Sequence, residues 1–512
     1  MATDADPRAV RLDAAIGDHR ASATATDGTA MAQTAKDMGR GVRWMGPTQV
    51  VIQVVRVGSL LVLTRLLTPQ EFGLVALVTV LTGLFERVLG DTGTTTALVR
   101  HPTISHGLAS SVLWLNVAIG GLTTLVLVVF GAPIASLLGD ADATDIVRVM
   151  GFLAVINGCA HVPRALFRRR MLFSRLAATN LTNAVITAAA TIGFAAAGWG
   201  EWAIVVGNLS GTVTATVLAW VLIDWRPALH FSRRRLSEIA GFSSRLTIQN
   251  IFGYISFAGD RFIVGRFVGT TELGYYGMAN RLMRYPIQTT AQTYRDVVFP
   301  NLARLQDDHR AMTTAYERSV SGIAFVIFPL CGVIAALADP LVAFGLGPKW
   351  VPATDVLALV AVTSGLQAVA STTGSLYNAR GRADLSLRWQ VFSSLFLLAC
   401  YSIGARWDLI GVAWSYLIGI ALLTPLAFAI PLRLIGARVT AVLRTTAALG
   451  LLTVASAATA HVAARLVDDA GGNDPTQLTA GVVTFAACYG GVSLAWRPRP
   501  ATDLLQLVRR RT

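Results

Sequence analysis

Fourteen runs of predominantly apolar residues, each roughly the 20 residues that a helix needs to cross a bilayer, follow one another with short polar connections between them. In hydrocarbon every backbone N–H and C=O must be satisfied inside its own segment, so such runs can fold only as helices. They span 46–66, 72–96, 108–131, 146–166, 176–198, 201–223, 242–264, 273–297, 318–338, 354–377, 385–404, 409–430, 440–463 and 478–496. At 54% hydrophobic and 14% charged, the 512-residue chain is too apolar for a soluble multidomain protein. The expected fold class is therefore an all-α polytopic membrane protein. Its net charge of +14 is dispersed in short Arg groups between the runs, which speaks for membrane topology and against a nucleic-acid partner.

Orientation follows from those Arg groups. One set of alternate loops, with the C-terminal tail, holds 22 positive residues, among them Arg168–Arg170, Arg233–Arg235 and Arg509–Arg511. The other set holds only Arg65, Arg266, Lys349, Arg406 and Arg465, and carries Asp140, Asp142, Asp145, Asp468 and Asp469. The positive-inside rule makes the first set cytoplasmic, with both termini inside and an even number of spans. Residues 1–43, with six basic and six acidic residues and no sustained apolar period, read as a disordered cytoplasmic tail that carries no cleavable signal. Cys159, Cys331, Cys400 and Cys488 lie singly inside apolar runs, suggesting neither a disulfide framework nor a metal site.

The chain also repeats itself. Arg65-Leu-Leu-Thr-Pro-Gln-Glu71-Phe-Gly73 and Arg266-Phe-Val-Gly-Thr-Thr-Glu272-Leu-Gly274 share Arg, Glu and Gly at a constant offset of 201, after the first and seventh runs. A duplicated unit of six helices explains this, and because six is even the two copies insert in the same orientation. The reading is two six-helix lobes at 44–239 and 240–432, with two additional helices and a basic tail at 433–512.

Between Asn250 and Pro300 two of the runs carry charge. Asp260 and Arg261 sit in the seventh, whereas the eighth places Arg281, Arg284, Gln288, Gln292 and Arg295 at spacings that put all five on one helix face. An Arg at the centre of a spanning helix costs about 2.5–3.5 kcal/mol, so this stripe is expected to face a water-filled cavity or a partner charge. Pro286 interrupts the same helix and is a candidate hinge. Gln53 and Arg56 share a face of the first run, Thr247, Asn250, Tyr254 and Arg261 one of the seventh, and the second run holds Glu86, Arg87 and Asp91. If helices one and seven, and two and eight, are duplicates, these polar faces converge between the lobes.

Several further motifs accompany the repeat: Asp91-x-Gly93 with Ala97-Leu-Val-Arg100, Arg170-x-x-Phe173-x-Arg175, Gly259-Asp-Arg261 with Gly265-Arg-Phe-Val-Gly269, Leu273-Gly-x-Tyr276, and Val298-Phe-Pro300-x-x-x-Arg304-Leu-Gln306. Together they resemble, over about 44–430, the polysaccharide flippases of the multidrug/oligosaccharidyl-lipid/polysaccharide (MOP) exporter superfamily, in particular the Wzx/WzxC-like transporters. The resemblance implies lobes around a central cavity and movement of a polyprenyl-pyrophosphate-linked oligosaccharide across the cytoplasmic (inner) membrane. Its implied partners are that lipid-linked substrate, membrane lipids, and a polysaccharide polymerase with export machinery. No catalytic residue, metal or cofactor is expected.

Such a substrate asks for guanidinium donors at its pyrophosphate and neutral polar groups along its sugars. Arg56, Arg281 and Arg284, with Arg261 nearby, are the candidates for the first role, and Gln53, Asn250, Tyr254, Gln288 and Gln292 for the second. Glu86, Arg87, Asp91 and Asp260 are candidates for charge balance or ion exchange, with structural salt bridges Asp260–Arg261 and Asp91–Arg87 as the alternative. A lipid II flippase and a drug/cation antiporter of the same superfamily are the competing readings. A membrane glycosyltransferase is disfavoured by short outer loops, the longest of which, about 464–477, looks like a turn.

Overall fold

Helix starts are set by local capping. Ser105 accepts the Leu108 N–H at 3.2 Å, and Asp308 accepts those of Arg310 and Ala311 at 2.9 and 3.0 Å. Thr68 and Glu71 cap one another reciprocally, the Glu71 carboxylate taking the Thr68 N–H at 2.6 Å and its hydroxyl at 2.9 Å. The computed structural model describes residues 46–85, 94–100, 105–229, 231–283, 305, 308–380 and 382–496.

In chain order the helices are α1 (Gly46–Leu66), α2 (Pro69–Phe85), α3 (Thr94–Arg100), α4 (His106–Val129), α5 (Gly131–Leu138), α6 (Ala143–Arg169), α7 (Phe173–Ala196), α8 (Glu201–Leu222) and α9 (Arg233–Ile263). They continue as α10 (270–283), α11 (His309–Ala336), α12 (Ala338–Gly345), α13 (Thr354–Ala370), α14 (Thr373–Ala379), α15 (Ala383–Gly404), α16 (Asp408–Arg433), α17 (Val439–Asp469) and α18 (Asp474–Trp496). No strand occurs among the described residues, and nine helical segments there are long and apolar enough to span a bilayer. Side chains such as Leu451 and Val221, 71% and 69% exposed, make the lipid-facing surface.

All fourteen predicted runs coincide with helix where the chain is described, with four differences. The tenth breaks at Ser371–Thr372, dividing α13 from α14. α9 and α11 each begin nine residues early, α9 taking in Arg233–Arg235. The connection expected at 464–477 shrinks to 470–473 between α17 and α18, with Gly471 at φ +81°. Finally, α5 and α12 are short apolar helices within stretches read as loops; each lies between two spans and buries a few side chains, among them Leu138 of α5 and Val342 of α12. The second run is described as α2 to Phe85 and again from Thr94 in α3; its residues 86–93 lie outside the described part, as do 1–45 and 284–304.

Within the first lobe α4 packs on α6 and α7 on α8; within the second α11 packs on α13 and α15 on α16, and the additional pair α17–α18 leans on α11. Small residues allow the close approaches, as expected where lipid replaces water as solvent. Gly120 faces the Ala154 carbonyl and Gly158 that of Asn116, so that a Cβ on either would sit 2.6 Å from the opposing oxygen. Gly207 and Gly211 of α8 seat the hydroxyls of Thr191 and Thr187 in the same manner.

The lobes meet at the repeated motif itself. A Cβ at Gly73 would lie 1.6 Å from the Thr270 carbonyl oxygen, and one at Gly274 would lie 1.9 Å from that of Pro69. Thr270 stands 201 residues after Pro69 and Gly274 stands 201 after Gly73, so the contact is reciprocal, as a two-fold relation between parallel repeats requires. Around it Arg65 donates to the Phe344 carbonyl at 2.5 Å and rests on Gly347, while Arg266 rests on Gly139; each arginine crosses to the turn that ends a short helix of the other lobe. Trp350 fills the seam, fully buried, its Nε1–H donating to the Thr64 carbonyl at 2.9 Å and its ring meeting Phe72 edge-on at 5.4 Å.

Replacing Trp350 with Ala empties this seam and should remove about 3–5 kcal/mol. The melting temperature of the detergent-purified protein is expected to fall clearly, while Trp407→Ala, on a residue 65% exposed, leaves it unchanged.

Candidate functional site

Closure at the seam leaves a cavity of about 480 Å³ between the lobes on one side of it. Its walls follow helical periodicity: Arg56, Ser59, Leu60 and Leu63 from α1, Phe72, Val75, Ala76, Thr79 and Val80 from α2, and Leu273, Gly274, Gly277, Met278 and Arg281 from α10. α9 contributes Tyr254 and Arg261, seven residues apart and so on one face. α7 contributes Asn183, Thr187 and Thr191 at intervals of four, and α8 Ile204 and Asn208.

Depth follows from the helical rise of about 1.5 Å per residue. Arg56 lies ten residues from the seam end of α1 and Arg281 eleven from that of α10, so both sit about 15 Å in, near the middle of a hydrocarbon core about 30 Å thick. Arg261 lies close to the seam, on the final turn of α9. Phe72, Leu63 and Leu273 make the cavity apolar at that end. Three guanidinium groups thus share one chamber, and no carboxylate belongs to its lining among the described residues.

Tyr254 does more than line it. Its hydroxyl crosses from α9 to α2 and donates to the Val80 carbonyl at 3.0 Å, with that of Thr79 at 3.2 Å, packed over Gly83. This hydrogen bond joins the lobes below the seam.

Asp260 does not make the ion pair that its adjacency to Arg261 suggests. Its carboxylate, on a residue 9% exposed, accepts the Tyr276 hydroxyl at 3.0 Å and the Arg261 backbone N–H at 2.8 Å, with no ion pair to a guanidinium among the described residues. Consecutive residues of a helix project about 100° apart, so Arg261 turns to the cavity while Asp260 turns into the second lobe. There the rings of Tyr401 and Tyr416 meet at a tilt with centroids 5.2 Å apart, and Tyr416 donates to Gln367 Oε1 at 3.1 Å.

Of the other candidates, Gln53 is half-buried on α1 and off the cavity wall, its Oε1 lacking a hydrogen-bond partner among the described residues. The Asn250 side chain lies outside the described part, as do Glu86, Arg87, Asp91, Arg284, Pro286, Gln288 and Gln292. Sequence reasoning misses Asn183 and Asn208; Asn183 does share a stripe with Thr187 and Thr191 at intervals of four, but uncharged residues are tolerated in a spanning helix and draw less notice than Arg, and only the tertiary arrangement aligns this stripe with Asn208.

Known proteins share this architecture. The chain is 26% identical over 371 residues to the succinoglycan biosynthesis transport protein ExoT of Rhizobium meliloti (strain 1021), covering 72% of this chain and 75% of the other. It is 24% identical over 382 residues to the lipopolysaccharide biosynthesis protein WzxC of Escherichia coli (strain K12), covering 74% and 77%. Among solved structures it is similar to the lipid II flippase MurJ in an inward closed conformation, with TM-score 0.69, 14% identity and coverage of 90% and 99%. A multidrug resistance MATE family transporter of the MOP superfamily in its inward-facing conformation superimposes with TM-score 0.61, 17% identity and coverage of 75% and 94%. These likenesses establish a multi-pass, all-α transporter fold. The sequence profile of polysaccharide biosynthesis proteins matches residues 62–355, more than half of the length, and the chain belongs to that family.

Proposed function

We propose that this protein is a flippase that carries a polyprenyl-pyrophosphate-linked oligosaccharide across the cytoplasmic membrane by alternating access, for export of a cell-surface polysaccharide. The observation that carries the reading is the convergence of Arg56, Arg261 and Arg281 on one chamber between the lobes. A guanidinium matches a pyrophosphate with directed, charge-assisted hydrogen bonds, and it does so more strongly at mid-membrane depth than in water. A cationic drug would want carboxylates in the same place. Transport of lipid II shares the phosphate chemistry; the family match to polysaccharide biosynthesis proteins favours the polysaccharide.

Arg284, Gln288 and Gln292, by their sequence spacing from Arg281, are assigned to the same substrate, with Asn250 and Gln53 as further sugar contacts and Pro286 as the hinge. Asp260, held by Tyr276, and Glu86, Arg87 and Asp91 balance charge or exchange an ion. The lobes comprise 44–239 and 240–432, followed by two additional helices at 433–512. By the positive-inside rule both termini are cytoplasmic, so the Arg65/Arg266 seam faces outward and the chamber opens inward. The protein is a carrier without catalytic residues, supplying a downstream polymerase and export machinery.

Arg56→Ala, Arg261→Ala and Arg281→Ala should each lower export about 10- to 100-fold, the loss of one charge-assisted hydrogen bond, with membrane levels intact. Normal complementation of an export-deficient strain by all three would remove the reading. Gly73→Ala, which sets a Cβ against the Thr270 carbonyl, should hold the seam apart and lower export, while Gly121→Ala, whose Cβ meets open space, leaves export unchanged; normal export by Gly73→Ala would rule out closure at this seam as a step of transport.

A further inference from the structure

The wall facing the guanidinium groups has a different chemistry. On α7 the Thr191 hydroxyl donates to the Thr187 carbonyl at 2.7 Å, and the hydroxyls of Thr191 and Thr187 pack against Gly207 and Gly211 of α8. Asn183, one turn before Thr187, and Asn208 on α8 have no hydrogen-bond or ionic partner among the described residues, and both line the cavity. Asn208 lies seven residues into α8 and Asn183 thirteen from the corresponding end of α7, so the amides stand about 10 and 20 Å from the seam-side end, bracketing the level of Arg56 and Arg281.

A half-buried amide needs partners, and in a chamber between membrane-spanning helices these must come from what enters it. A carboxamide presents an acceptor oxygen and a donor NH₂ side by side, the pattern that neighbouring hydroxyls on a sugar ring answer with one donor and one acceptor. A guanidinium, a donor only, cannot supply both halves. We infer that Asn183 and Asn208 bind the hydroxyls of the sugars next to the pyrophosphate and so set which saccharides the protein carries. The inference rests on the flippase reading and divides its chamber: anion on Arg56, Arg261 and Arg281, neutral sugar on α7 and α8. A site built to hydrogen-bond hydroxyls rejects a ligand that lacks them, because its own amides are then left unpaired.

The test is titration of the full-length protein in detergent, read by native mass spectrometry. The probes are sugar-free undecaprenyl pyrophosphate and the lipid-linked saccharides extracted from the cells that make this protein. The wild type should bind the saccharide-bearing lipid at least about tenfold more tightly than the sugar-free one, the scale of one well-placed hydrogen bond. Asn183→Ala/Asn208→Ala should abolish most of that difference and leave sugar-free binding within about twofold, which also reports that the variant is folded; Arg281→Ala should weaken both probes. Equal weakening of both probes by the Asn double variant, no weakening of either, or a wild type indifferent to the sugar would overturn the inference while leaving the flippase reading in place. A wild type that binds neither probe would overturn the flippase reading and this inference with it.

Discussion

The chamber exists because the two lobes touch closely at one end, and that contact depends on two residues having no side chain. Gly73 and Gly274 bring the turn after α1 and the turn after α9 into backbone contact, each against the carbonyl of a residue one repeat away from its counterpart. Any Cβ there would push the α1–α2 and α9–α10 corners apart. With the seam shut and filled by Trp350 against Phe72, the helices enclose on one side of it a space that is apolar at the seam end and polar deeper in. The arginines of the motif, Arg65 and Arg266, then brace the seam from outside by reaching across to the ends of α12 and α5. The positions of Arg56 and Arg281 therefore follow from a backbone contact about 15 Å away from them.

What can be read from the chain alone divides along the same physical lines. Span positions are legible because hydrocarbon length and backbone satisfaction leave one solution for a long apolar run. The repeat is legible because its glycines and arginines are confined to a nine-residue motif, and the seam explains why those positions carry the match. Arg56 and Arg281 announce the cavity by being charges where lipid forbids them. α5 and α12 are not legible: at eight residues each they are too short to cross, and their apolar residues merge with the ends of the neighbouring runs. Nor are Asn183 and Asn208, since neutral amides and hydroxyls such as the Asn183, Thr187 and Thr191 face are tolerated in a spanning helix, and α7 and α8 must dock before the two amides share a wall. Adjacency in sequence suggests pairing Asp260 with Arg261, and helical geometry undoes it, giving the carboxylate to Tyr276.

The duplication also explains what the halves do not share. At the seam the counterpart positions match: Arg65 and Arg266, Glu71 and Glu272, Gly73 and Gly274. In the chamber they do not. Applying the same offset of 201, Arg261 corresponds to Leu60, Arg281 to Val80, Asp260 to Ser59, Tyr254 to Gln53, and Arg56 to Phe257. Closure is a problem with two-fold symmetry, because each corner must receive the other, and equal residues solve it. Holding a ligand is not: a chamber with equivalent walls would offer a charged head and a neutral chain the same surface on both sides, and the ligand could sit in either sense. Guanidinium groups concentrated on α1, α9 and α10, against amides on α7 and α8, give the space a direction. A lipid-linked saccharide, anionic at one junction and hydroxyl-rich beyond it, is itself directional, and only the asymmetric chamber set within a symmetric frame both orients it and still closes.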